Sequence, residues 1–106
     1  MNSTPSTTYI NALLIKYTNP TDAEKHYGFP HQLYDDFFAD LQYEGLIPWS
    51  LDEYATTESL GNGVFKEFFT SAELRDRFLA VTQAVADDFG TPFTYEFLDI
   101  EPFTFP

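Results

Sequence analysis

Residues 61–100 read GNGVFKEFFTSAELRDRFLAVTQAVADDFGTPFTYEFLDI, and their turn, strand, helix and strand decide the fold. Gly61-Asn62-Gly63 is a hairpin signal, because tight turns between antiparallel strands need the positive φ that Gly and Asn tolerate. VFKEFFT (64–70) is the strand that returns from it. TSAE (70–73) matches a capping box and opens a helix. Leu74, Phe78, Val81, Val85 and Phe89 recur at 3–4 spacing and give that helix one apolar face. Glu73 and Arg77 form an i,i+4 pair in the favourable orientation. Gly90 ends the helix and Pro92 blocks its continuation. FTYEFLDI (93–100) then alternates Phe93, Tyr95 and Phe97 against Thr94, Glu96 and Leu98, as a strand does.

Working towards the N-terminus, Tyr54 to Leu60 reads either as a modest strand before the hairpin, its threonines favouring extended backbone, or with the rest of 46–60 as loop. YINALLIKY (9–17) reads as a central strand bounded by Asn19-Pro20. Between these two, TDAE (21–24) is a capping box with Thr21 as N-cap, starting a short helical turn that Gly28 stops. Pro30 suits the first position of a helix over 31–44. There Leu33, Phe37 and Leu41, with Tyr34 and Phe38, form one apolar stripe, and Gly45 is the stop. SLDE (50–53) is a further capping-box match. The order strand, helix, strand, strand, helix, strand predicts an α+β, ferredoxin-like βαββαβ fold, an antiparallel sheet with two helices on one face. Residues 1–8 are expected to be a flexible N-terminus and 9–106 a single α+β domain. Helices on one side leave the other sheet face open to a second copy in a homodimer, to a partner, or to the tail EPFTFP (101–106).

Composition agrees with one folded core: 43% of the 106 residues are apolar, including twelve Phe and seven Tyr. There is no cysteine, which removes disulfides, zinc–thiolate sites and thiol nucleophiles and fits a reducing compartment. MNSTPSTT has neither a basic region nor an apolar run, and no stretch reaches membrane-spanning length, so a cytoplasmic protein is expected. The net charge of −12 disfavours direct binding of nucleic acid or of an anionic membrane, both of which need Lys and Arg.

Motifs for catalysis are sparse. Walker A, GxGxxG and HExxH patterns are missing and GNG is too short to cradle a phosphate, so no cofactor is expected. Asp87 and Asp88 with Glu96 or Asp99 lack the spacing of a calcium loop and read as solvated acids. His26 and His31 are the candidate general bases, without a visible Ser-His-Asp pattern. VFKEFFTSAELRDRFLAV (64–81) resembles the strand–helix half of dimeric ferredoxin-like barrels, which include cofactor-free monooxygenases and small degradative enzymes. That resemblance implies a competing reading: a dimeric α+β-barrel enzyme or small-molecule-binding protein, with His26, His31 or a buried Tyr doing the chemistry.

The leading reading comes from charge. From His26 to Phe65 there is no Lys or Arg but seven acids, whereas Lys66, Arg75 and Arg77 crowd one short window. Asp36, Asp40 and Glu44 stand four apart, a row rising about 6 Å per step on a helix. Asp35, Asp52 and Glu53 extend it, and Tyr34, Tyr43 and Trp49 are interleaved as interface-type aromatics. Like charges at this spacing cost a few tenths of a kcal/mol per pair. These nine residues are the candidate partner-binding face of a non-enzymatic protein that binds and inhibits a basic, nucleic-acid-binding protein site. In size and composition the chain resembles the small acidic inhibitors of phages and mobile elements, including nucleic-acid mimics and anti-CRISPR proteins. Plain solubilisation by excess acid, or a structural subunit docking its Phe-rich tail, are the other readings.

Overall fold

The apolar run at 9–17 divides at Ile10 in the computed structural model, which describes residues 8–28, 30–45 and 55–104. Its first part is β1 (Thr8–Tyr9) and its second β2 (Asn11–Tyr17). A 3-10 turn over Pro20–Asp22 leads into α1 (Ala23–Gly28), followed by α2 (Gln32–Tyr43). Then come β3 (Ala55–Gly61), β4 (Val64–Phe69), α3 (Ala72–Phe89), β5 (Phe93–Leu98) and β6 (Phe103–Thr104). The result is a small α+β protein with a four-stranded antiparallel sheet in the order β3–β4–β2–β5 and, among the described residues, three α-helices.

β2 is an inner strand, as its apolar sequence requires. Leu13 lies opposite Glu67 on β4 and Phe97 on β5, and Ile15 opposite Phe65 and Tyr95. Residues directly opposite share a face, so the odd-numbered positions of all three strands look towards the helices. Leu13, Ile15, Tyr17 and Phe69 from that face join Phe37 and Leu41 of α2 and Leu74, Phe78 and Leu79 of α3 in one buried core. Each such side chain contributes roughly 1.5–3 kcal/mol by leaving water.

The opposite face is partly closed by the chain's own ends. β1 pairs with β6, and Phe103 stacks on Tyr9 at 5.6 Å and meets Phe68 edge-on at 5.1 Å. Tyr9, Ala12 and Phe68 are thereby buried beneath Phe103, Leu98 and Ile100. Phe103 and Thr104 of the tail are thus a docked strand, with Thr8 paired to Thr104.

Caps differ from the expected ones in a consistent way: each true cap stands one or two residues from the expected position. Asn19, not Thr21, caps the first helical segment, its side chain accepting from the Thr21 amide. Ser71, not Thr70, caps α3 by accepting from the Leu74 amide, which places Glu73 outside the capping-box position. His31 caps α2, and Pro30 precedes the helix instead of starting it. The core seam of α3 is Leu74, Phe78, Leu79, Thr82, Val85 and Ala86, whereas Val81 and Phe89 lie at its margin. Gly90 closes α3 in the left-handed region at φ 69°. The SLDE match at 50–53 lies outside the described residues.

Candidate functional site

α2 and α3 form an outward-facing layer, and the polar residues between them fix its charge. At one end the His31 Nδ1 accepts from the Leu33 amide while Nε2–H donates to Asp88 at 2.7 Å. At the other end Arg77 clasps both carboxylate oxygens of Glu44, at 3.1 and 2.7 Å. Glu73, the expected partner, acts on Arg77 only through its field, and the bidentate contact is with Glu44. The contact lowers the Glu44 pKa below the usual carboxylate range. Arg75 is also engaged within the chain, with Asp76 at 3.0 Å and with the Asn11 side chain at 3.2 Å.

Asp35, Asp36 and Asp40 are exposed on α2, and among the described residues none of them forms an ion pair. Asp36 accepts one hydrogen bond from Gln32, and Asp40 adds to the negative field felt by Arg77. Glu73, Asp76 and Asp87 carry the same charge along exposed positions of α3. Tyr43 is 88% exposed and stands beside the Glu44–Arg77 clasp in sequence. Of the nine candidate residues, the structure therefore brings Asp35, Asp36, Asp40, Glu44 and Tyr43 onto α2 and its C-terminal cap. Trp49, Asp52 and Glu53 lie outside the described residues.

Tyr34 is turned inward. Its hydroxyl is hydrogen-bonded to His26 Nδ1 at 2.9 Å and donates to Thr82 Oγ1 over a longer 3.4 Å. His26 Nε2 bonds Thr91 Oγ1 at 2.8 Å, and Thr91 in turn donates to the Ala86 carbonyl. One ring nitrogen of the neutral imidazole donates and the other accepts, so both are satisfied within the protein in either tautomer. Burial holds the His26 pKa down at about 4, with Asp22 pulling weakly the other way. Burial also pushes the Tyr34 hydroxyl up to about 12 and the Tyr17 hydroxyl well above its ordinary range. The buried Glu67, which accepts from Thr57 at 2.6 Å, adds to both tyrosine shifts.

Both ring nitrogens of His26 are thus occupied inside the protein, and His31 serves as a helix cap. The shallow depression beside α3, lined by Gln83, Ala86, Asp87, Pro92 and Phe93, includes neither histidine. Among the described residues no three His, Asp or Glu side chains converge as a metal-binding group would, and no helix is long and apolar enough to cross a membrane. Glu67, Thr82 and Thr91 escaped sequence reasoning, although Glu67 follows the inward period of Phe65 and Phe69 and Thr82 follows that of Phe78 and Val85. Comparisons of the chain with protein-family models, with curated proteins and with solved structures find no match.

Proposed function

We propose that the protein is a non-enzymatic, acidic interaction protein whose α2–α3 layer occupies a basic, nucleic-acid-binding surface on another protein and inhibits it. The observation that carries this reading is the disposition of charge in the layer. Arg77 is held by Glu44 and Arg75 by Asp76, so neither is available to neutralise Asp35, Asp36 and Asp40. A surface whose cations are committed internally presents a negative field outward. Such a field steers encounter with a positive groove and competes with phosphates for it. Tyr43 supplies an exposed aromatic beside the charges, of the kind that anchors interfaces. The inhibitor reading is of the phage or mobile-element, nucleic-acid-mimic type.

The same proposal takes the sheet as an elaborated ferredoxin-like plan. β2, the α1–α2 pair, β3, β4, α3 and β5 follow the split βαβ order, and β2 lies between β4 and β5. The additional helix and the β1–β6 pair are departures from its minimal form.

Affinity capture from lysate at low and high salt tests the function. The expected partner is basic, is released as salt rises and is displaced by an oligonucleotide. Asp35→Lys, Asp36→Lys and Asp40→Lys together abolish its capture, while Glu44 is left in place because it clasps Arg77. A partner retained equally at both salt concentrations, or by the triple variant, overturns the proposal.

A further inference from the structure

We infer that β5 is the pairing edge of a homodimer, in which two copies join β5 to β5 antiparallel about a two-fold axis through Tyr95. This goes beyond the proposed function and uses a different surface. β5 ends the sheet order β3–β4–β2–β5, and among the described residues no strand lies on its outer side. Tyr95 is 45% exposed and Phe97 50%, although both are on the face the helices cover elsewhere. Phe93, Tyr95 and Phe97 form a ladder with ring centroids 6.5 and 5.6 Å apart. Edges are normally blunted by charged side chains, Pro or a bulge; between Phe93 and Leu98 β5 has no Pro and no bulge, and its one charge, Glu96, lies on the face away from the aromatic ladder.

The backbone states which residues can pair. The Thr18 amide donates to Pro92, whereas the Tyr17 amide donates the other way, to Gly63. Alternation along an antiparallel ladder then directs the backbone groups of Thr94, Glu96 and Leu98 towards β2. Those of Phe93, Tyr95 and Phe97 point outward. Among the described residues nothing pairs with these outward groups, so the strand offers them at its three aromatic positions.

Register follows from the side chains. Centred on Tyr95, antiparallel pairing sets Tyr95 against Tyr95 and Phe93 against Phe97, so six rings share one face. On the other face Glu96 meets Thr94. Centred one residue later, Glu96 would face Glu96 of the second copy, a like-charge pair that is destabilising. At the ends, Arg75 lies over the Phe97 ring at 4.3 Å while held by Asp76, and Asp87 borders the depression at Phe93. Pairing Phe97 with Phe93 therefore sets the already paired Arg75 of one copy on the side of the second copy's Asp87, twice by symmetry. The product is one continuous sheet of eight strands, four from each copy, with both acidic helical layers on the same side.

Sedimentation of the full chain over a concentration series, at low and high salt, tests this. The expected result is a monomer–dimer equilibrium that tightens with salt, because salt screens the repulsion between two strongly acidic copies. Tyr95→Lys and, separately, Phe97→Lys should weaken the dimer by about tenfold or more, while Glu96→Lys should not weaken it. A chain that stays monomeric throughout, or a dimer indifferent to Tyr95→Lys and Phe97→Lys, overturns the inference. A cross-link gives a second readout, since the natural chain has no cysteine. A short bismaleimide should link Glu96→Cys to itself but not Glu58→Cys on the far edge strand, and equal linkage of both, or of neither, is the contrary result.

Discussion

His26 bonds Tyr34 through one ring nitrogen and Thr91 through the other, inside a pocket of Tyr17 and Phe89 rings. The folded protein therefore resists protonating it. Its pKa is about 4 in the folded state against 6.5 ordinarily, and the sign of the consequence is fixed. Above pH 6.5 the ring is neutral in both states and contributes no pH dependence. As pH falls from 6.5 towards 4 the unfolded chain takes up a proton that the folded chain refuses. Stability is lost across that window, by on the order of 1–3 kcal/mol from this residue. Urea unfolding midpoints measured between pH 7 and 4 should show this drop, and His26→Gln, which cannot titrate there, should show a shallower one; parallel curves would refute the assignment. Nothing in the sequence displayed this role. The partners of His26 lie 8 and 65 residues away, and a histidine in the last turn of a short helix looks the same whether it is solvated or buried. Tyr34 was legible as part of an apolar stripe and also as an interface aromatic; only the packing of α2 on α3 decides for the inside.

Elements were the most legible level, because periodicity and turn residues act locally. The hairpin of β3 and β4 and the long helix α3 lie within a residue or two of where alternation and the Gly61-Asn62-Gly63 signal put them. What the local pattern could not show is what each turn touches. Gly61, Asn62 and Gly63 all have positive φ, at 82°, 55° and 75°. A side chain at Gly61 would meet nothing within 4 Å, whereas a Cβ on Gly63 would lie 2.7 Å from the Pro20 Cα and 3.1 Å from its carbonyl oxygen. The hairpin is therefore seated on the 3-10 turn that leads from β2 to α1. Both Gly61→Ala and Gly63→Ala incur the left-handed backbone penalty of roughly 1–2 kcal/mol. Gly63→Ala carries in addition a clash with backbone that cannot rotate away, so its loss of stability should be clearly the larger in side-by-side thermal unfolding. Equal losses would mean that the hairpin and the Pro20 turn do not bear on each other. The caps depart from the capping-box spelling of TSAE and TDAE for a related reason: the residue that turns extended just before the helix is set by the strand or loop that precedes it.

At the scale of the molecule, the charge of −12 is carried without matching cations on the helical layer. Packing by Phe37 and Leu41 holds α2 to the core, and that burial outweighs the repulsion among Asp35, Asp36 and Asp40. The sequence made the acidity plain but not its arrangement, because the Glu44–Arg77 and His31–Asp88 contacts join residues 33 and 57 apart. The Glu44–Arg77 pair neutralises charge at one end of the layer, the His31–Asp88 contact ties down an acid at the other, and Asp35, Asp36 and Asp40 stay bare between them. A repulsion that persists in the folded state predicts a stability that rises with ionic strength, since screening relieves folded neighbours more than a swollen chain. In urea, raising NaCl from low to physiological concentration should shift the unfolding midpoint upward. Asp36→Asn with Asp40→Asn should be more stable than the natural chain by a few tenths of a kcal/mol at low salt, and its salt response should shrink. The same variant should lose affinity for a basic partner. Stability gained with binding lost is the signature of charges kept for recognition, whereas a gain in stability that leaves capture of the partner unchanged would assign the acids to solubility alone.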